Sequence, residues 1–262
     1  AIMPVHFAGR SCDMDPIMET AERYNLKIIE DCAHAIETEY HGKKAGAIGD
    51  FGCFSFYVTK NVITGEGGMV TSCDADAISK IKVLSLHGMS KDAYKRFSDD
   101  GYKHYKVEEA GYKYNMMDLQ AAMGIHQLAR VEENWHRRKT IWDKYQEAFA
   151  DLPVGTPAEV EPGTRHAYHL YTLLIDKVKV GINRDQFLDK MTEAGVGVGV
   201  HYQSIPEHPY YQRAFGWDAD DYPHAKRIGQ QTVSIPLSAK LSTDDVERII
   251  DTVKDFLSHG AV

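Results

Sequence analysis

Leu26-Lys27-Ile28-Ile29-Glu30-Asp31-Cys32-Ala33-His34-Ala35 is a short apolar run that ends abruptly in two carboxylates and a histidine. Ahead of it, Asp13 and Asp15 with Pro16 mark a helix start, and Ile17, Met18, Ala21 and Tyr24 recur at helical spacing. Further back, Ile2-Met3-Pro4-Val5-His6-Phe7-Ala8-Gly9 reads as a buried strand closing in a turn. Strand, helix and strand within about thirty residues make a parallel crossover unit, which predicts an α/β fold with helices covering a mostly parallel sheet.

Beyond this unit, glycines crowd the chain at Gly46, Gly49, Gly52, Gly65, Gly67 and Gly68, between short apolar runs, so strands and tight turns are expected there. A helix is predicted over 76–86, striped by Ile78, Ile81 and Leu84, then an exposed excursion over 90–109. The helical pattern over 116–149 is long enough to demand a kink or break. Pro153, Gly155, Pro157, Pro162 and Gly163 then mark a boundary, giving a large domain over 1–150 and a smaller α+β domain over 151–262. In the second domain, strands are predicted over 168–175, 196–202 and 232–236, and helices over 184–194 and 222–231. Ser242 and Asp245 form a capping signal for a final helix striped by Val246, Ile249, Ile250, Val253 and Leu257.

The 262 residues are 43% hydrophobic and 26% charged, which suits a folded chain of one large or two modest domains. Thirty Lys and Arg against 38 Asp and Glu leave a formal charge of -8, so no broad attraction for nucleic acid is expected. No apolar run approaches the roughly 20 residues of a membrane span, and no secretory pattern opens the chain. Cys12, Cys32, Cys53 and Cys73 lack C-x-x-C spacing, so they are expected to be small buried hydrophobes in a reducing cytoplasm, without a metal site.

Two constellations carry chemistry. Asp31 stands at the carboxyl end of a buried strand, where ligands of open parallel sheets gather, and it calls for a cationic partner such as a protonated ring nitrogen. The plainer reading makes Asp31 a turn cap and His34 a packed core histidine. Lys60 lies within Phe54-Ser55-Phe56-Tyr57-Val58-Thr59-Lys60-Asn61-Val62-Ile63-Thr64-Gly65-Glu66-Gly67-Gly68. Apolar neighbours there desolvate the amine, lower its pKa and make it a nucleophile for an aldehyde. Ser55 can donate to a phosphate, and the glycines allow close backbone approach. The plainer reading is a surface lysine beside a glycine-rich hairpin.

In combination, E-D-C-A-H-A, S-F-Y-V-T-K-N-V-I-T-G-E-G-G and G-Y-K-Y-N-M-M-D-L-Q-A-A resemble the pyridoxal-phosphate-dependent sugar aminotransferases of the DegT/DnrJ/StrS type, within aspartate-aminotransferase fold type I. The likeness continues through Trp142, Tyr145, His169, His201-Tyr202 and the closing S-I-P-L. It implies that Lys60 forms the internal Schiff base and shuttles the proton, that Asp31 partners the pyridine nitrogen, that His34 lies beside the cofactor ring and that Ser55 binds its phosphate. Relatives that dehydrate carry histidine where this chain has Lys60, which implies amino transfer. Many relatives read G-Y-N-Y-R where this chain has Gly111-Tyr112-Lys113-Tyr114-Asn115, so Lys113 or Asn115 is expected to meet the phosphate of a neighbouring subunit's cofactor, or else to be a solvated lysine beside a structural asparagine.

The resemblance further implies a homodimer with shared sites, aided by the apolar face after Met116. Its expected reaction takes an amino group from glutamate, with glutamine as the alternative donor, to a nucleotide-linked keto-sugar, in the 4-keto class, for surface polysaccharide, lipid A or glycan sugars. A cyclitol or other keto substrate, or a non-catalytic relative, stays open as an alternative. Family members carry a segment ahead of the strand at 2–7 that supplies a phosphate loop, a stacking aromatic and sugar contacts; the chain is expected to correspond to the part after it, with an unpaired sheet edge.

Overall fold

The computed structural model describes residues 1–90 and 105–258. Two compact units divide the chain: Ala1–Glu132 with Glu161–Ala167, and Glu133–Val160 with Tyr168–Val262. The division differs from one at 150/151, because the long helix ending at Phe149 lends its aromatic face to the second unit's core.

The first unit holds strands β1 (Ile29–Asp31), β2 (Glu39–Tyr40), β3 (Lys43–Lys44), β4 (Phe51–Ser55), β5 (Gly68–Thr71) and β6 (Thr164–Arg165). β1 runs parallel to β4, pairing Glu30 with Gly52 and Asp31 with Cys53, while β5 lies antiparallel on the other edge of β4. β2 pairs with both β3 and β6. The expected strand over 2–9 exists only as two parallel bridges, Ile2 to Ile28 and Val5 to Asp31. Pro4, which lies between them, has no N–H to give to the ladder, and the chain then turns in a 3-10 segment, Phe7–Gly9. Gly52 packs its Cα face against Gly46: a Cβ there would lie 2.2 Å from the Gly46 Cα.

Helix α1 (Met14–Tyr24) stops at Asn25, whose left-handed backbone ends the helix, and it packs Met14 and Ala21 with Ile28 and Tyr40. α2 (Ala75–Ser85) is capped by Asp74, which accepts from the Asp76 and Ala77 amides. The predicted break in the long helical pattern falls at Ala129–Arg130, between α3 (Asp118–Leu128) and α4 (Val131–Phe149). Residues 91–104 of the predicted excursion lie outside the described residues; its flanks meet in a bridge from Met89 to Val107. Of the cysteines, Cys32 is buried, Cys12 and Cys53 are half-buried and Cys73 is exposed, so the expectation of four buried thiols holds only at Cys32 and fails most plainly at Cys73, which precedes the solvent-facing start of α2.

In the second unit, β7 (Tyr171–Leu174) and β8 (Thr232–Ile235) form an antiparallel pair. Around it lie α5 (Lys177–Val180), α6 (Arg184–Glu193), α7 (Pro209–Phe215), α8 (Pro223–Gln231) and α9 (Thr243–Ser258). Its core joins Trp142, Tyr145 and Phe149 of α4 to Tyr171, Leu173, Phe187, Met191, Val233 and Val253. The strand predicted over 196–202 is a single bridge, Gly199 to Ser234. Gly195, Gly197 and Gly199 give it few side chains to pack, which weakens a strand. The capping signal at α9 is realised: Ser242 Oγ accepts the Asp245 amide at 3.1 Å, and Asp245 accepts the Ser242 amide at 3.0 Å.

Candidate active site

The carboxyl ends of β1 and β4 bring the chemistry-bearing residues together within the first unit. Side chains alternate along a strand, so Asp31 and its cross-strand partner Cys53 share one sheet face, and Ser55, two residues further on, shares it too. Asp31 Oδ1 accepts the Ala33 amide at 3.0 Å, and among the described residues no donor engages Oδ2. Ser55 Oγ accepts the Tyr57 amide at 3.3 Å, leaving the hydroxyl proton to be donated elsewhere.

Lys60 sits on the turn after β4, its backbone N–H donating to Tyr57 O at 2.9 Å. Its side chain is half-buried, and among the described residues its amine makes no hydrogen bond. Burial lowers its pKa from the ordinary lysine value, and the negative charge of Asp31 opposes that shift without cancelling it. A desolvated amine within the field of a strand-end carboxylate is a nucleophile beside an anion.

His34 is buried, with its ring tilted against Phe7 at 5.9 Å between centroids. Its Nδ1 accepts the Ala8 amide at 3.2 Å, which assigns the ring proton to Nε2. Lys113 donates to the side-chain oxygen of Asn115, so these two stand as a pair on the surface before α3, with Lys113 bridged through its backbone to Leu86. They lie on a separate segment from Asp31, Ser55 and Lys60, and no described contact joins them to that cluster.

Two features escaped the sequence reading. Glu30, next to Asp31 but on the opposite sheet face, is fully buried. Its Oε2 accepts from His6 Nε2 at 3.0 Å and the Gly46 amide at 2.9 Å; its Oε1 accepts from the Ile48 amide at 2.9 Å and the Gly49 amide at 2.8 Å. Burial would raise this carboxyl's pKa, but the His6 ring and the three amides outweigh it and hold the group below its ordinary value. His6, Glu30 and Cys32 do gather ligand-type atoms within 4.8 Å of one another. The four acceptor sites of Glu30 are already filled, so hydrogen bonding accounts for this cluster. The signal available in sequence was a carboxylate at the inward position of an apolar strand, which must find internal donors. The second feature is Glu37, also buried, which accepts from Asn61; nothing in its polar surroundings in the sequence marked it.

Pyridoxal phosphate asks a protein for an uncharged amine, a carboxylate for its ring nitrogen and donors for its phosphate. Lys60, the open Oδ2 of Asp31 and the Ser55 hydroxyl beside the glycine-rich turn answer to those three demands. The residues therefore fit the group.

Comparison with known proteins agrees with that chemistry. Residues 1–254 match the model of the DegT/DnrJ/EryC1/StrS aminotransferase family. The spore coat polysaccharide biosynthesis protein SpsC of Bacillus subtilis is 46% identical over 258 residues, which are 98% of this chain and 66% of that protein. The structure of Spr1654 from Streptococcus pneumoniae in its PLP form superposes with a TM-score of 0.89 at 29% identity, over 100% of this chain and 69% of that one. PseC of Helicobacter pylori, an aminotransferase involved in the biosynthesis of pseudoaminic acid, superposes with a TM-score of 0.89 at 25% identity, over 98% of this chain and 67% of that one. The chain thus spans about two thirds of the length of these relatives.

Proposed function

The chain belongs to the DegT/DnrJ/EryC1/StrS aminotransferase family, a family of fold type I enzymes that use pyridoxal phosphate, and from this we propose that it aminates a keto-sugar. The substrate we infer is a nucleotide-linked 4-keto-sugar and the donor glutamate, with the product entering surface polysaccharide, lipid A or glycan synthesis. Support comes from SpsC, named for spore coat polysaccharide biosynthesis, and from PseC, an aminotransferase involved in the biosynthesis of pseudoaminic acid. The observation that carries the reading is the half-buried Lys60 amine, lowered in pKa and felt by Asp31 at the end of β1.

When bound, the cofactor supplies an aldehyde that captures amines and a ring that accepts electrons released at the neighbouring carbon. In this reading Lys60 Nζ would hold the cofactor at rest and would serve as the group that takes up and returns a proton. Burial lowers its pKa, which is the direction that favours the uncharged amine both tasks need. Asp31 would hold the cofactor's ring nitrogen protonated through its open Oδ2, while Oδ1, fixed by the Ala33 amide, holds the carboxylate in orientation. His34, held by the Ala8 amide, would lie against the ring, and Ser55 would donate to the phosphate. Lys113 and Asn115 belong to a surface that a second copy of the chain would meet, each subunit completing the other's site. We place the enzyme in the cytoplasm; among the described residues no helix is long and apolar enough to cross a membrane.

The test is cofactor colour and turnover of the full chain with glutamate and a panel of nucleotide-linked keto-sugars. Lys60→Ala should abolish the visible absorbance of the lysine-bound cofactor and slow turnover by about a thousandfold or more. Retained colour and turnover in Lys60→Ala would overturn the assignment.

A further inference from the structure

Lys60 is carried by a turn, so nothing in a strand or helix ladder fixes the start of its long side chain. On the amino side, the backbone bond from Lys60 N–H to Tyr57 O closes the turn at 2.9 Å. On the carboxyl side, the fixing is done by the next side chain. Asn61 Nδ2 donates to Glu37 Oε2 at 2.9 Å and to Ala167 O at 3.2 Å, using both of its amide hydrogens. Glu37 is 1% exposed and lies six residues beyond Asp31 on the segment that also carries His34. That segment is fastened in turn: Thr38 Oγ1 donates to Gly9 O at 2.7 Å, and Gly9 O also accepts the Ala167 amide at 2.8 Å. The bond between Glu37 and Asn61 therefore joins the loop bearing the amine to the segment bearing the carboxylate.

We propose that Glu37 and Asn61 are a positioning pair that sets the spacing between the Lys60 amine and Asp31, a role that rests on reading Lys60 as the cofactor lysine. Neither residue touches the reacting atoms; Asn61 acts through the backbone of its neighbour, and Glu37 acts through Asn61. The charge of Asp31 bears on the Lys60 amine directly, and Glu37 is tied to Lys60 through its bond to Asn61. Displacing a reacting group by about 1 Å is enough to cost on the order of a hundredfold in rate, which is the scale at which such a tie matters.

The experiment is the pH dependence of amine labelling at Lys60 in the full chain without cofactor, read peptide by peptide by mass spectrometry. In the wild type the labelling midpoint lies below that of free lysine. Asn61→Ala and Glu37→Ala let the turn open to water, so the midpoint rises toward the free value and labelling at about pH 8 falls roughly threefold to tenfold. Glu37→Gln keeps an acceptor for Asn61 and leaves the midpoint where it was. Thr38→Val, which removes a bond from the same wall but none from Asn61, lowers the melting temperature and leaves the midpoint unmoved. A midpoint unchanged in folded Asn61→Ala overturns the proposal, as does an equal shift in Thr38→Val. Asn61 is only half-buried, so Asn61→Ala carries the test even where Glu37→Ala does not fold. A shifted midpoint in a chain that never develops cofactor colour keeps the tie and removes the aminotransferase reading; colour with no shift does the reverse.

Discussion

Taken alone, Asp31 and Lys60 each allow a plainer reading in the sequence, as a turn cap and a surface lysine, and it is the three motifs in order that single them out as candidates. Glu37 was not legible, since a glutamate in a polar stretch looks solvated until the fold buries it. At Asp31, an isosteric change tests the charge alone: Asp31→Asn can still accept the Ala33 amide, so the fold should persist while turnover drops by about a hundredfold to a thousandfold in steady-state assays. His166 offers a test of stability. Its ring is buried, and burial, with added repulsion from Arg10, lowers its pKa from 6.5 to about 3. Below pH 6.5 the unfolded chain takes up a proton that the folded chain refuses, so stability is lost as pH falls from 6.5 toward about 3. The slope is at most about 1.4 kcal/mol per pH unit, and His166→Gln should flatten that part of the urea-melt profile between about pH 4 and pH 7.

Among the elements, the helices declared themselves best, because caps and stripes are local: α9 begins where Ser242 and Asp245 said it would. Ser242→Ala should cost about 1 kcal/mol, read as a lower melting temperature without loss of cofactor colour. Strands were harder to read. The ladder at 2–6 is broken by one missing N–H at Pro4, and the stretch 196–202 lacks the side chains to build one, facts that depend on the partner strand as much as on the segment itself. β4 carries Ser55 and leads to Lys60, and it closes on Gly46 only because Gly52 has no side chain. Gly52→Ala should therefore cost about 1–3 kcal/mol and weaken cofactor binding together, whereas Ser242→Ala should touch stability alone.

At the scale of the whole molecule, the crossover unit around β1 pointed to the α/β class and the motif resemblance to the fold type, but no local signal could reveal that α4 would join the second unit's core. α3 buries none of its residues, and Leu119 and Ile125 are 72% and 68% exposed. We expect a second copy to cover exposed apolar side chains of α3: Leu119→Glu with Ile125→Glu should halve the mass seen by sedimentation and lower activity, and an unchanged mass would remove the dimer from the scheme. Finally, adjacent residues of β1 face opposite sides of one sheet, Glu30 gripped by a ring and three amides and Asp31 open at the strand end. Randomising this dipeptide should split a library into two phenotypes: insoluble product wherever position 30 changes, and soluble but colourless product wherever only position 31 does. Durability and reactivity are encoded side by side, so reactivity can be lost at position 31 with the fold intact, while a change at position 30 takes both.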